Sequence, residues 1–126
     1  MSETRVLMIA SSLAMAVAGV IASFLPQETL AWMGAAVTPG PVTAIQIAGA
    51  LYLGLAAMNW MARGVLIGGI YARPLSFGNF VHFMIGAITL AKLTVANPDP
   101  VLIAIALPYV LFAAWFGRVV FRPPVA

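Results

Sequence analysis

The stretch VLMIASSLAMAVAGVIASFL, residues 6–25, decides the fold because it runs for 20 residues without a charged side chain. A helix of that length covers about 30 Å, which is the thickness of the hydrocarbon core of a bilayer. Arg5 followed by an apolar run is also typical of a signal peptide, but this run is longer than the apolar region of most such peptides. The sequence therefore predicts a retained transmembrane helix.

Three further apolar stretches approach spanning length, at residues 42–62, 77–93 and 101–117. Of the 126 residues 63% are hydrophobic and 7% are charged, and the mean hydropathy is +1.08. Such a chain cannot cover a soluble domain with polar side chains. The prediction is an all-α fold consisting of one transmembrane domain, residues 1–126, built as an integral membrane four-helix bundle.

Each predicted span also contains small residues four positions apart, which let helix backbones approach closely in lipid. These pairs support a tightly packed bundle. They are Ala18 and Ala22, Ala50 and Gly54, Ala87 and Ala91, and Ala113 and Gly117.

The segment after the first span, PQETLAWMG at residues 26–34, has the features of a short helix. It opens with proline, carries a glutamate in its first turn and ends at Gly34. Leu30, Trp32 and Met33 could place this helix at the membrane interface, with the indole at headgroup level. The alternative is an ordered loop with one buried tryptophan.

Two helix starts carry capping signals. Asp99 before Pro100 is a natural N-cap and first-turn pair for the fourth helix. Ser76, two residues after Pro74, is predicted to cap the third helix.

Basic residues gather on one side of the predicted bundle. Four spans place both termini and the second linker on that side, and the other two linkers opposite. Because positive residues favour the cytoplasmic side, we predict a multi-pass protein of the cell (inner) membrane with both termini cytoplasmic. The first side has Arg5, Arg63, Arg73, Arg118 and Arg122, and the second has Lys92 with Glu28 and Asp99.

Polar and small residues form one stripe on each of two helices, at helical spacings of three and four. Polar side chains within a span are expected to turn toward protein rather than lipid. The second helix has Gln46, Gly49, Tyr52, Ala56, Asn59 and Arg63, and the third has Ser76, Asn79, His82, Gly86 and Thr89.

Consecutive antiparallel helices should bring Asn59 level with Asn79 and His82. Together with Tyr52 and Gln46, these residues form the predicted polar cluster. One interpretation is that they hydrogen-bond across helices and set the helix register. The other is that they line a cytoplasm-facing pocket for a small polar group, such as a lipid head, a quinone or a solute.

Catalytic and metal chemistry have little support in the sequence. The spans contain no Asp or Glu, and hydroxyls such as Ser11, Ser12 and Thr89 are level with no obvious base. One histidine without cysteine or a nearby carboxylate cannot build a metal or haem site in a single chain, and only an oligomer could supply a second histidine. We expect no catalytic residue, no metal and no cofactor, and six basic residues are too few for nucleic-acid binding. The expected partners are membrane lipids and a second copy or a larger membrane complex.

Two strings, GALYLGLAAMNWMARG at residues 49–64 and GGIYARPLSFGNFVHFMIGA at residues 68–87, carry a family resemblance. Across residues 42–95 the chain resembles small bacterial four-helix membrane proteins with a domain of unknown function. The resemblance implies fold and location and offers no catalytic residue. Because the specialised features of the sequence serve folding and insertion, we expect a non-catalytic membrane subunit, scaffold or self-associating bundle. The first alternative is a binding or transport protein for a small molecule, lipid or quinone, with its pocket near Asn59, Asn79 and His82, and the second is a membrane enzyme acting on lipid.

Overall fold

The computed structural model describes residues 2–67 and 69–122, and over these residues it is helical with no strand. A single 3₁₀ turn, Ile70–Ala72, precedes the fourth α-helix. The α-helices are α1 (Glu3–Phe24), α2 (Pro26–Trp32), α3 (Pro39–Met61), α4 (Arg73–Ala96) and α5 (Pro100–Phe121).

Four of these helices are long and apolar enough to cross a membrane: α1, α3, α4 with its preceding turn, and α5. They have 22 to 27 residues, or about 33 to 40 Å at 1.5 Å per residue. All four overlap the spans expected from the sequence. Insertion in a membrane, the orientation of the termini and the single transmembrane domain stay predictions.

The two predicted helix starts had different outcomes. The Asp99 side chain accepts a hydrogen bond from the Val101 N–H at 2.8 Å, so the predicted cap of α5 is confirmed. The predicted cap of α4 is wrong, because α4 begins at Arg73 and the Ser76 hydroxyl donates to the Arg73 carbonyl at 3.0 Å. The first N–H groups of a helix have no partner within it, so proline fits the first turn and the helix can begin before Pro74.

The segment after α1 is a helix rather than a loop. It ends as the glycine predicts: Gly34 has φ +71°, and the N–H groups of Gly34 and Ala35 donate to Ala31 and Leu30. The alternative of a loop with a buried tryptophan is wrong, because Trp32 is 59% exposed. Leu30 is the buried side chain of this helix.

The chain divides into two compact units. The first, the α1–α3 unit, is Met8–Arg63, and the second, the α4–α5 unit, takes in the described residues before Met8 and after Arg63. Helix α1 contributes its first turns to the second unit and the rest of its length to the first.

Within the α1–α3 unit, glycines let α1 and α3 approach backbone to backbone. A Cβ added at Gly49 would lie 2.7 Å from the Ser23 nitrogen, and one at Gly19 would lie 3.0 Å from the Leu53 nitrogen. Residue numbers rise along α1 as they fall along α3, so the two helices are antiparallel. Each helix therefore offers a glycine to the other at this crossing.

Within the α4–α5 unit, aromatic rings fill the contact between two antiparallel helices. Phe83 of α4 is 1% exposed, and its ring stacks on Phe116 at 5.7 Å between centroids and meets Phe112 at 5.0 Å. The Tyr109 ring covers Gly86, where an added Cβ would lie 2.6 Å from it. Large rings thus pack against small positions on the opposite helix.

Candidate functional site

The five residues of the predicted polar cluster divide between the two units. Gln46, Tyr52 and Asn59 lie on α3, and Asn79 and His82 lie on α4. The expectation that Asn59 is level with the other two polar residues therefore stays a prediction. Each half of the cluster has its own surroundings.

Asn59 is fully buried and bonds across to α1. Its amide Nδ2 donates to the Ser11 hydroxyl at 3.0 Å, and that hydroxyl donates to the Met8 carbonyl at 3.2 Å. The hydroxyl of the next residue, Ser12, donates at 2.7 Å to the carbonyl of Ala56, which lies about one turn before Asn59 on α3. These two serines join α1 to α3, a role that the sequence did not assign to them.

The remaining α3 members of the cluster lie farther along the helix. Gln46 is exposed and lies 13 positions before Asn59, which is about 20 Å along the axis. Tyr52 is half-buried and lies about 10 Å from Asn59 on the same scale. Because of these separations, Gln46 and Asn59 cannot contact the same small ligand.

Asn79 and His82 share one face of α4. Asn79 is fully buried, and its amide Nδ2 donates to the Leu75 carbonyl at 3.0 Å. His82 is half-buried, with its ring 5.9 Å from the Tyr109 ring and 4.9 Å from the Phe83 ring. The His82 ring thus lies beside one aromatic ring of α4 and one of α5.

Sequence reasoning missed the aromatic face of α5. Tyr109, Phe112 and Phe116 follow one another at spacings of three and four, which places them on one side of a helix. That spacing was a readable signal for an aromatic surface. That this surface packs against His82 and Phe83 became clear only from the structure, in which α4 pairs with α5.

An ion pair and a hydrogen bond, both made by Glu3, join the start of α1 to the last turns of α5. Glu3 Oε1 accepts a hydrogen bond from the Trp115 indole Nε1 at 3.0 Å and lies 3.1 Å from Arg118 Nη1. The sequence analysis counted Arg118 only toward topology and assigned no role to Glu3. The ion pair is exposed in part, with 66% of the Arg118 side chain and 37% of the Glu3 side chain accessible.

The described part of the chain contains no group of three His, Asp or Glu side chains placed to hold a metal ion. Its buried hydroxyls and amides can supply hydrogen bonds between helices, and its aromatic rings can supply packing. Compared with protein-family models, with curated proteins and with solved structures, the chain gave no match. The likeness of residues 42–95 to bacterial four-helix membrane proteins therefore stays an expectation.

Proposed function

We propose that this chain is a small integral membrane protein without catalytic activity, acting as a subunit, a scaffold or a self-associating bundle. The observation that carries the proposal is how the α1–α3 unit uses its buried polar side chains. Asn59 bonds Ser11, and Ser12 bonds a carbonyl of α3. In lipid such bonds are worth about 0.6 to 2 kcal/mol each and hold helices in register. Polar side chains that bond to a neighbouring helix in this way support helix packing rather than catalysis.

The outer surface of the helices supports a lipid environment. Large apolar side chains are exposed on each long helix, among them Val17, Leu51, Ile85 and Leu107. In water such a surface would drive aggregation, whereas lipid tails or partner helices cover it without penalty. Membrane lipids and further protein helices are therefore the partners that this surface fits.

The proposed location is the inner membrane, with the four long helices as a transmembrane bundle and both termini cytoplasmic. Helix α2 would lie at the outer interface, with exposed Trp32 among the headgroups. Because the chain lacks cysteine, single cysteines at Ser2, Thr38 and Asn97 can be labelled from outside intact cells. Labelling at Thr38 and Asn97 but not Ser2 is expected. The reverse pattern would mean that the topology is inverted.

Photo-crosslinking in the native membrane tests the function. A crosslinking amino acid at exposed Leu51 should capture a second copy or another membrane protein, and mass spectrometry should report a fixed stoichiometry. The control is Phe83 of α4, a large buried side chain that a crosslinking amino acid can replace with little change in size, where capture should be lower. A chain that stays monomeric and uncrosslinked at exposed positions on all four long helices would contradict the proposal.

Binding of a small molecule near Asn79 and His82 is the second candidate function. The specific observation in its favour is that the His82 and Tyr109 ring centroids lie 5.9 Å apart. An imidazole and a phenol ring are therefore neighbours in apolar surroundings. Such groups can bind a quinone carbonyl or another polar head by hydrogen bonds and stacking. His82→Gln should then release a bound molecule while the fold survives, and Thr89→Ala on the same helix should not. If both variants retain the same molecules as the wild type, this candidate is wrong.

A further inference from the structure

The ion pair at the end of the α4–α5 unit lies in a shallow, open groove on the surface. The groove is lined by Glu3, Leu111, Ala114, Trp115 and Arg118. The four α5 residues follow at spacings of three, one and three, so they occupy one face of the helix. Charged atoms lie at one end of this face and apolar atoms at the other.

The order of groups along the groove matches the order of groups along a phospholipid. Arg118 lies one turn from the end of α5 and Glu3 is the first residue of α1, so both lie where spanning helices reach the headgroups. Leu111 is seven residues before Arg118, about 10 Å deeper along the axis. Trp115 lies between them, and indoles concentrate at the membrane interface. An acyl chain would therefore lie along Leu111 and Ala114 while its headgroup meets the ion pair.

Within residues 2–67 and 69–122, the contacts of the ion pair use only part of its bonding capacity. The Trp115 and Arg118 contacts both use Oε1 of Glu3, and a carboxylate has a second oxygen that can accept hydrogen bonds. Arg118 contacts Glu3 through Nη1, and a guanidinium has five N–H donors in all. In the groove, Arg118 can thus bind an anion and Glu3 can bind a cation beside it. The Trp115 indole holds the Glu3 carboxylate in place.

We infer that this groove binds a zwitterionic phospholipid with a primary ammonium headgroup, of the phosphatidylethanolamine type. The phosphate meets the guanidinium of Arg118, and the ammonium donates to the carboxylate of Glu3. The inference rests on the proposed membrane location. An anionic headgroup without an ammonium would meet the Glu3 carboxylate unfavourably, and a trimethylated ammonium has no N–H to donate.

Native mass spectrometry of the full chain in nanodiscs tests this inference. The nanodiscs contain equimolar phosphatidylethanolamine, its N,N-dimethyl derivative, phosphatidylcholine and phosphatidylglycerol, all with the same acyl chains. The trimethylated lipid keeps its positive charge and lacks only the N–H donors. A hydrogen bond contributes about 1 kcal/mol, so the ethanolamine lipid should be retained about fivefold over the trimethylated one. Retention should fall in order as methyl groups are added. Equal retention of the four lipids, or preference for phosphatidylglycerol, would overturn the inference.

A matched set of variants then assigns the selectivity to the groove. Glu3→Gln keeps an oxygen for the Trp115 indole but removes the charge, so the ethanolamine preference should fall to near one. Arg118→Gln should lower retention of every phospholipid. Glu28→Gln makes the same change outside the groove, and selectivity should be unchanged. If Glu3→Gln keeps the full preference, the inference is wrong.

The two proposals can fail separately in these experiments. If headgroup selectivity is lost while the crosslinked partner is still captured, this inference alone is overturned. If selectivity is retained while no partner is captured from any long helix, the proposed function alone is overturned. The headgroup series on the wild-type chain needs no variant to fold.

Discussion

Replacing Gly49 by alanine should force α1 and α3 apart and destabilise the α1–α3 unit. The added Cβ would lie 2.7 Å from the Ser23 nitrogen and 3.0 Å from the Ala22 carbonyl carbon. Both are backbone atoms of α1, and no rotamer change can move them. Ordinary contact between such atoms needs about 3.5 Å, so the helices must separate by about 0.8 Å at this crossing.

The cost follows from the loss of close packing. A gap of this size forfeits a quarter to a half of the attraction across the interface, and overpacking in a filled core costs about 1 to 3 kcal/mol. Separation also strains the bond from Ser12 to Ala56. We therefore expect Gly49→Ala to lower the free energy of unfolding by about 3 kcal/mol. The measurement is reversible unfolding in mixed micelles, titrated with a denaturing detergent and followed by circular dichroism.

Gly54→Ala is the matched control, because it makes the same change on the same helix. Gly54 is exposed, and a Cβ there would meet no atom of the described chain within 4 Å. Alanine favours a helix over glycine by up to about 1 kcal/mol, so this variant should be neutral or slightly more stable. Equal stability of Gly49→Ala and Gly54→Ala would refute the close crossing of α1 and α3.

Three further predictions use the same unfolding measurement. Ser11→Ala should cost about 1 kcal/mol and, combined with Asn59→Ala, should show non-additivity of about 0.6 kcal/mol or more; strict additivity would contradict their hydrogen bond. Gly86→Ala should cost less than Gly49→Ala, about 1 kcal/mol, because it meets the Tyr109 ring, which can rotate; a loss as large as that of Gly49→Ala would refute this. Pro108→Ala should be tolerated because it restores a backbone hydrogen bond within α5; a large loss of stability would mean that proline shapes an interface.

Local signals predicted the helices well. The lengths of the apolar runs indicated four helices long enough to span a membrane, and the Asp99 cap and the Gly34 stop lie where the sequence placed them. A cap or a stop involves atoms within a few residues of each other, so a short stretch of sequence carries the whole signal. Ser76 failed as a cap because a second local signal, proline in the first turn, started α4 earlier.

The sequence by itself determined that the long elements are helices and where along the chain the four of spanning length lie, because these depend on contacts between near neighbours and on the uniformly apolar composition. The tertiary structure decided which faces meet. It brought Gly49 rather than Gly54 into the helix crossing, gave Asn59 its bond to Ser11, and set Phe83 against Phe116. In a chain this apolar, the inner and outer faces of a helix carry similar side chains, since lipid is as apolar as a protein core. Apolar periodicity then cannot mark the buried side, whereas the polar and small stripe did so on α3, whose buried residues Gly49, Ala56 and Asn59 all belong to it. The partner of each face depends on how distant segments pack.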